Sequence, residues 1–522
     1  MTSDIDRRGL GMADTKIEGF HQIIAVTQGS INLQLQQRHA AYPELRQLDV
    51  VLPPSGKHSI SKAKLSANMD PMQVQLGIST ENHSVYCYLF LRKGAALFFE
   101  DGEYESISIR DWRVAFKVDL NLQTEKPEQV PEHIKRRLQK AGDYRANKVS
   151  TAFYTSFVSS VSDDHAADIA NYDQAKSILP GLTYEDDPSI TAQRQVQLGT
   201  LLKTWTDSLK QQTDQGQPHN ILGYSITVSH PQGGYPFTPS LVPTSIRHQN
   251  YPYLQDAGAS PTSDLFGPLK SIGDNNMFAY LQMTNHELLP KAALNYSANW
   301  AVNKPDQPAK GGTLAISNQC LFESCLLPKL ADLNRDTAIK AIRAEHSGYD
   351  PETIQFDFQL GRMFNKDSDP RLYQWKKTDD PLRWEFAAST FEESHHDSLL
   401  TKTLSIHGSL RCDFKHVLEV TPSLNEIRIT GHLATDRVRR ANFFNNKKLR
   451  LDDDKHAQEI ENIFHNGLNV ESAVTDLNNM FKGPWNFYFP GTGVYFLTHP
   501  IFNKEGDLLV ELQHADGANE DD

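Results

Sequence analysis

Cysteine is scarce in this sequence. Four cysteines occur in 522 residues, and none has a partner at the CxxC spacing of a zinc site or a redox pair. Small secreted domains that depend on disulfides carry a far higher share of cysteine. The sequence therefore predicts buried free thiols, and it argues against a disulfide framework or a structural zinc site.

Long apolar runs and an excess of positive charge are also missing. No stretch approaches the roughly 20 apolar residues that cross a bilayer, and residues 1–16 lack the apolar core of a signal peptide. The formal net charge of −13 argues against a protein that holds nucleic acid through its phosphates. We therefore expect a soluble, cytoplasmic protein that does not bind nucleic acid.

The standard catalytic motifs are absent as well. The sequence contains no G-x-S-x-G, P-loop, G-x-G-x-x-G or H-E-x-x-H pattern. Two groups could supply metal ligands, namely His395-His396-Asp397 and Asp452-Asp453-Asp454 with His456. Their acidic surroundings favour an exposed loop for the first and a solvated helix start for the second. We predict no catalytic residue, no metal and no cofactor.

The sequence does contain a long alternation of apolar and polar residues at 107–122. From Trp112 to Leu122 every second residue is apolar, whereas Arg113 and Lys117 fall on the opposite face. A strand over these eleven residues would extend about 35 Å. It needs a long apolar partner along its inner face, which could be a second sheet, a long helix or a bound hydrophobic molecule.

Similar patterns occur before and after this strand. Thr27 is predicted to cap a helix that follows a short strand at 23–26. Further strands are predicted at 65–78, 85–91 and 95–99, with breaks at 81–83, 92–94 and 101–102. An amphipathic helix is predicted over 193–210, with an apolar stripe at Leu198, Leu201, Leu202, Trp205 and Leu209. Together they predict an antiparallel meander covered by a helix.

The second half of the chain repeats this plan. Strands are predicted at 221–228, 277–283, 314–316, 354–360, 384–389, 404–411, 414–420, 427–433, 485–489, 494–498 and 508–512, and a helical stripe over 460–481. The predicted fold class is α+β, an elongated protein with long curved antiparallel sheets around long amphipathic helices. The predicted divisions are a flexible lead-in at 1–16, a first sheet-and-helix module at 17–215, a second at 216–514 with a Pro- and Gly-rich loop at 230–268, and an acidic tail at 515–522.

Two sets of residues are candidates for binding. The first would line a ligand groove between sheet and helix and consists of Trp112, Val114, Phe116, Val118, Leu120, Leu201 and Trp205. A filled core explains the same alternation, and the sequence leaves both possibilities open. The second set could touch anionic lipid headgroups, or could be ordinary solvated surface, and consists of Arg437, Arg439, Arg440, Phe443 and Phe444.

A family resemblance rests on several short stretches that follow one another along the chain. They are Gly19-Phe20 with Ala25-Val26-Thr27 and Ile31-Asn32, Phe116-Lys117-Val118-Asp119-Leu120, Phe278-Ala279-Tyr280-Leu281-Gln282-Met283-Thr284, Ala315-Ile316-Ser317 before Leu326-Leu327-Pro328, and Phe489-Pro490-Gly491 with Phe502-Asn503-Lys504-Glu505-Gly506-Asp507-Leu508. In this order they resemble the tubular lipid-binding (TULIP) superfamily, and in particular the OrfX-type accessory proteins encoded beside clostridial neurotoxins. The resemblance implies a curved sheet around a long helix, with a hydrophobic groove that holds a lipid tail in many members.

Three functions follow as hypotheses. The leading one is a non-catalytic protein that binds a lipid or another long hydrophobic molecule in the groove between sheet and helix. The first alternative is an enzyme that uses the groove to shape an apolar substrate for cyclisation or isomerisation. The second is an accessory component of a toxin or secretion complex that acts by protein–protein contacts. The expected partners are a hydrophobic small molecule or lipid, a peripheral membrane surface and a protein.

Overall fold

In the computed structural model of the protein, the part that the structure describes is discontinuous. The described residues are 17, 19–52, 63–78, 84–100, 102–119, 122–125, 151–156, 172–211, 221–227, 243–255, 259–262, 264–284, 287–291, 297–302, 311–321, 354–357, 374–377, 383–388, 391–399, 402–422, 427–444, 487–488, 495–503 and 507–514.

These residues form strands and helices that are numbered along the chain. The strands are β1 (Gln22–Thr27), β2 (Gln47–Val51), β3 (Lys64–Leu76), β4 (Ser84–Glu100), β5 (Glu103–Asp119), β6 (Leu122–Glu125), β7 (Thr151–Ser156), β8 (Ile221–Thr227), β9 (Pro243–Tyr251), β10 (Met277–Thr284), β11 (Gly311–Ile316), β12 (Ile354–Asp357), β13 (Gln374–Lys377), β14 (Arg383–Ala388), β15 (Phe391–Leu399), β16 (Lys402–Pro422), β17 (Ile427–Phe444), β18 (Phe487–Tyr488), β19 (Tyr495–Phe502) and β20 (Leu508–His514). The helices are α1 (Gln28–Ala41), α2 (Pro188–Gln211) and α3 (Lys270–Gly273), with a 3₁₀ turn at Pro43–Leu45.

The described strands form four antiparallel sheets. The neighbours in each sheet follow the orders β19-β20-β11-β1-β10-β9, β2-β3-β4-β5, β18-β8-β7-β6, and β12-β15-β16-β14-β13 with β17 beside β16. Mixed helices and antiparallel sheets confirm the predicted α+β class. Among the described helices, none combines the length and apolar character that a bilayer span requires.

The six-stranded sheet places β1 at its centre. Every residue of β1, β10 and β11 is buried, so these strands are covered on both faces. The sequence predicted these three strands, but the alternation in β10 predicted only one buried face, and Phe278 and Tyr280 on the other face are also buried. Thr27 caps α1 as predicted, because its Oγ1 accepts a hydrogen bond from the Ser30 N–H.

Strands β2 to β5 form an antiparallel meander, here called the meander sheet. The predicted meander strands lie in β3, β4 and β5, whereas β2 was not predicted. The break predicted at 92–94 was wrong, because β4 continues through it. In both β4 and β5, the inward-facing side chains switch at this point from one set of alternate positions to the other. Leu91 and Ala96 are therefore both buried on β4, and Ile109 and Trp112 are both buried on β5. A one-residue change of phase looks like a break in a pattern that assumes strict alternation.

A bulge explains this change of phase. Asp111 has a φ of 50°, in the left-handed region, and the pairing of β3 with β4 shifts beside it between Asn68 and Met69, where Arg92 is the extra residue of β4. Arg92 joins the three strands at this point, because its guanidinium lies 2.6 Å from the Asp70 carboxylate and 3.0 Å from the Asp111 carboxylate. Gly94 is needed beside the bulge, since a Cβ there would lie 2.1 Å from the Ser66 carbonyl oxygen.

The long strand predicted through Leu122 was wrong at both ends. It begins earlier, at Glu103, and β5 ends at Asp119. Leu122 begins β6, which belongs to a different sheet. Leu120 lies outside the described residues. The sequence pattern continued across this change of sheet because alternation does not indicate which neighbour a strand pairs with.

Two stretches along the edges of the meander sheet, one on β3 and one on β5, are covered by other parts of the chain. Beyond the region that pairs with β2, the edge of β3 is covered by α1. Gln28 Oε1 accepts a hydrogen bond from the Leu76 N–H, and the Asn32 side-chain amide bonds both the N–H and the carbonyl of Val74. The outer edge of β5 is covered by residues 172–182, which form a β-bridge between Arg113 and Ile178. Covered edges cannot pair with another chain.

Other predictions in the second half were corrected. Strand β9 lies inside the predicted loop 230–268, and His395-His396-Asp397 lie in β15 rather than in an exposed loop. The strands predicted at 404–411 and 414–420 are one strand, β16, with a register shift between Arg411 and Asp413 that interrupts the alternation.

Pairing between sequence-distant strands crosses residue 216, where the sequence predicted a module boundary. Strand β1 pairs with β10 and β11, and β7 pairs with β8. The boundary itself stays a prediction. The lead-in 1–16, the helical stripe 460–481 and the tail 515–522 lie outside the described residues.

Candidate functional site in the meander sheet

The inner face of the meander sheet carries the first predicted groove residues. Trp112 is 1% exposed, and Val114 and Phe116 are fully buried. The predicted inward alternation is therefore confirmed at these three positions. Val118 lies in β5 opposite Val85 of β4, and Leu120 lies outside the described residues.

Helix α2 carries the other predicted groove residues. It packs against β2, β3 and β4, and Leu198, Leu201 and Leu202 are fully buried while Trp205 is 6% exposed. The predicted amphipathic helix thus covers the meander sheet, and it begins five residues earlier than the predicted start at 193, at Pro188. In the described part of this interface, the apolar side chains of α2 are buried where the helix packs on the sheet.

A buried ion pair fastens α2 to the end of β4. Arg194 Nε lies 2.5 Å and Nη2 3.0 Å from the two oxygens of Glu100, and the side chains are 6% and 9% exposed. The hydrogen bond to Glu100 raises the pKa of Arg194. Arg194 Nη1 also donates to the Gly181 carbonyl at 3.2 Å. A two-pronged pair with further hydrogen bonds is the geometry in which a buried pair offsets its desolvation.

Gln197 forms a second link one turn further along α2. Pairing of β3 with β4 ends at Lys64 and Leu97. The next backbone N–H and carbonyl of β4 that point toward β3, those of Phe99, therefore have no partner in β3. The Gln197 side chain takes the place of a strand there, since its Oε1 accepts from the Phe99 N–H and its Nε2 donates to the Phe99 carbonyl, both at 3.0 Å. Together these contacts, here called the α2 latch, fix the N-terminal half of α2.

The outer face of the meander sheet carries an aromatic row that sequence reasoning missed. Tyr86, Tyr88 and Phe90 alternate along β4, opposite Lys117, Ala115 and Arg113 of β5. The sequence signal was present, because aromatic residues occupy alternate positions at 86, 88 and 90. The prediction used only the alternate apolar residues on the inward face of this strand, so it did not identify the aromatic residues on the outward face.

Phe266 packs on this row from a neighbouring loop. Its ring lies 4.9 Å from the ring of Tyr88 in an edge-to-face arrangement, and the Arg113 guanidinium lies 4.3 Å from the Phe266 centroid. Asp264 holds the loop by accepting backbone hydrogen bonds from Phe266, Gly267 and Leu269. The bond from Gly267 is the main reason that the pKa of Asp264 is lowered.

Tyr88 is a hydrogen-bond donor within this cluster. Its ring is 3% exposed, and its hydroxyl donates to Gln75 Oε1 at 2.6 Å. Burial raises the pKa of Tyr88 to about 12, so the hydroxyl keeps its proton at neutral pH. It therefore orders the outer face and cannot act as a base.

The second predicted set belongs to a strand of another sheet. Arg437, Arg439, Arg440, Phe443 and Phe444 all lie in β17, which pairs with β16. In that pairing Arg440 is opposite Arg411, and Phe443 is opposite Gly408. Contact of this set with a membrane stays a prediction.

A hydroxyl, an imidazole and a carboxylate come together where β1 begins and β10 ends. His21 Nδ1 accepts from the Thr284 N–H at 3.1 Å and lies 2.7 Å from Thr284 Oγ1, while Nε2 lies 3.3 Å from Glu287. Cys320 Sγ lies 3.7 Å from the same hydroxyl. The order resembles a catalytic triad, but Thr284 and Cys320 are fully buried, so no substrate reaches them. The cluster is a structural joint.

This joint makes stability depend on pH. Burial lowers the pKa of His21 more than Glu287 raises it, and Nδ1 must be unprotonated to accept from Thr284. The unfolded chain therefore binds the proton more readily than the folded protein. The contribution of His21 to the free energy of unfolding is complete above pH 6.5 and is lost as the pH falls below it. We expect the unfolding free energy of the wild type, relative to His21→Gln, to fall on acidification by at most about 1.4 kcal/mol per pH unit. Urea unfolding at several pH values measures it.

The difference from His21→Gln isolates the contribution of His21 together with its contact to Glu287, because titrating residues that do not touch His21 contribute equally to both proteins. A difference that grows in favour of the wild type on acidification would mean that His21 is protonated in the folded protein and paired with Glu287. That result would contradict the assignment of a neutral imidazole.

The fold and these faces define an α+β protein of antiparallel sheets, a class that by itself fixes no activity. No protein-family model matches the chain, and no curated protein matches it significantly. Among solved structures, the chain is similar to P47 from Clostridium botulinum A2, with 10% identity, a TM-score of 0.39, and 96% of this chain and 99% of that chain covered. It is also similar to P47 of Clostridium botulinum E1, with 10% identity, a TM-score of 0.42, and 95% and 99% covered.

Kinship with the clostridial OrfX-type proteins stays a prediction. Membership of the TULIP superfamily stays a prediction. Because the identity and the TM-scores are this low, no property of P47 is transferred to this chain.

Proposed function

We propose that the chain is a non-catalytic binding protein that takes a lipid or another long apolar molecule between the meander sheet and α2. One observation supports this proposal above the others. A continuous apolar stripe of α2 lies on the sheet, and polar groups of the α2 latch fasten the helix at one end. The helix then acts as a cover whose apolar residues occupy the binding face when no ligand is present.

Binding in this proposal exchanges one apolar contact for another. The side chains of α2 are packed, so a ligand must replace the contacts of Leu201 and Trp205 with its own. Burial of apolar surface contributes about 25 cal/mol per Å², so 300 Å² of ligand surface would gain about 7 kcal/mol before ordering costs. The latch lowers the fraction of molecules with the cover open, and the apparent affinity falls by that fraction.

Loosening the latch should therefore strengthen binding. In Gln197→Ala both hydrogen bonds to Phe99 are lost, which favours the open form, and we expect affinity for the fluorescent fatty acid cis-parinaric acid to rise by up to about tenfold. The same variant should be slightly less stable. Fluorescence titration measures the affinity, and thermal unfolding monitors the fold.

Gln193→Ala is the matched control, because Gln193 is an exposed glutamine of the same helix. It should bind the probe as the wild type does. The proposal fails if the wild type neither binds the probe nor yields apolar molecules on solvent extraction and mass spectrometry. It also fails if Gln197→Ala remains folded but binds the probe more weakly than the wild type.

A further inference from the structure

Two exposed cations face each other across β4 and β5. Lys93 and Arg110 are paired directly in register, and both are exposed on the outer face of the meander sheet. Like charges placed opposite each other in a sheet repel. Within the part of the chain that the structure describes, neither side chain forms an ion pair. This repulsion would be relieved by an anionic group from outside.

Arg113 is a third cation on the same face, and its side chain is held by aromatic rings. The guanidinium lies 4.3 Å from the centroid of Phe266 and 5.8 Å from that of Tyr88. Its Nε is buried and has no hydrogen-bond partner among the described residues. A guanidinium fixed in plane by stacking needs little further ordering before it forms paired hydrogen bonds with a carboxylate.

The spacing of these cations suits an extended chain. Arg110 and Arg113 are three residues apart on β5, which corresponds to about 10 Å along a strand. Alternate residues of an extended peptide are about 7 Å apart on one face, so two or three acidic side chains can reach both cations. Phe266 is 44% exposed beside Arg113 and offers an apolar contact to the same chain.

Carboxylates on the same face distinguish between two kinds of anionic partner. Asp70 and Asp111 flank Arg92, and the Asp111 side chain is 72% exposed. A continuous anionic surface, such as a lipid bilayer, would meet these carboxylates as well as the cations and would be repelled by them. A polypeptide can place its acidic side chains against the cations alone, so the mixed charge favours a polypeptide.

We propose that the outer face of the meander sheet, around Lys93, Arg110 and Arg113, binds an acidic polypeptide segment of a partner protein. The inference goes beyond the apolar-ligand proposal and uses the opposite face of the sheet. Because the whole chain carries a net charge of −13, general electrostatic attraction to an acidic peptide is unfavourable, and binding must come from this local face.

The test uses the full chain and a fluorescein-labelled peptide of alternating glutamate and serine, with the matching glutamine–serine peptide as a probe control. Anisotropy should show binding of the glutamate peptide only, weakening as salt is raised. Arg113→Leu, and separately Lys93→Ser with Arg110→Ser, should each weaken binding by about tenfold or more. Arg113→Lys should retain part of the affinity, because the charge remains and the paired geometry is lost.

Lys64→Ser is the matched control, because Lys64 is an exposed cation of β3 that pairs with Asp49 and lies opposite Leu97, four residues along β4 from Lys93. It should bind as the wild type does. Thermal unfolding reports whether each variant is folded. Equal binding of all variants, or no binding by the wild type, would overturn the proposal. So would binding to vesicles of phosphatidylcholine and phosphatidylserine without binding to the peptide, because that result assigns the face to a membrane. None of these outcomes depends on binding of cis-parinaric acid, so the two proposals can fail separately.

Discussion

Replacing Arg194 with methionine is expected to lower the free energy of unfolding by about 3–5 kcal/mol. The change leaves the Glu100 carboxylate in a position that is 9% exposed, without the two hydrogen bonds that offset its desolvation. It also frees the Gly181 carbonyl that Arg194 Nη1 bonds. Urea unfolding followed by far-UV circular dichroism measures the loss, with an unchanged m-value as the sign that the folded state is retained.

The double variant Arg194→Met with Glu100→Leu tests the reason for that loss. If the cost of the single change is an uncompensated buried charge, replacing both partners by apolar side chains should restore most of the stability. Arg194→Lys should lie between the two, because the charge remains and the two-pronged geometry does not. A double variant as unstable as the single one would show that the pair itself, and not the stranded carboxylate, stabilises the α2 latch.

Replacing Trp112 with alanine is expected to cost about 3–5 kcal/mol. The indole is 1% exposed between neighbours that are fully buried, so its removal leaves a cavity in the inner face. Its Nε1 also donates to the Pro180 carbonyl at 3.0 Å, and this bond holds residues 172–182 along the edge of β5. Urea unfolding measures the effect.

Trp112→Phe is the control for this second change. It keeps an aromatic ring and loses the hydrogen bond to Pro180, so the expected cost is about 1–2 kcal/mol. The pair of variants also tests the character of the inner face. If Trp112→Ala cost less than about 1 kcal/mol, the indole would line an open space rather than fill a packed one, and a ligand could enter without movement of α2.

Local sequence pattern determined a large part of the fold. Alternation identified β10, the inward residues of β5 around Val114, and the meander sheet, and the apolar stripe at 198–205 identified α2 as its cover. Capping chemistry located the start of α1 at Thr27. These features are readable because each depends on residues within a few positions of one another, and their periods of two and 3.6 are fixed by backbone geometry.

The sequence pattern failed where one residue changed the phase. The phase change after Leu91 made β4 resemble two strands, and the shift in β16 near Cys412 did the same. A single extra residue moves every following side chain to the other face, and whether a strand absorbs it or ends there depends on its neighbours.

The candidate faces were only partly visible before the fold was known. The sequence identified Trp112 and Trp205 as members of an apolar interface but left open whether it is a groove or a packed core, because alternation is the same for both. It gave no sign that Arg113 stacks on Phe266, which is more than 150 residues away along the chain.

By itself, then, the sequence determined many of the strands, the amphipathic helix and the absence of standard catalytic motifs. Only the tertiary structure decided that β1 pairs with β10 and β11, that α2 packs against the meander sheet, and that cations gather with aromatic rings on its outer face. The physical reason is that secondary structure follows from short-range geometry, whereas pairing, burial on a second face and stacking join residues whose separation along the chain carries no periodic signal.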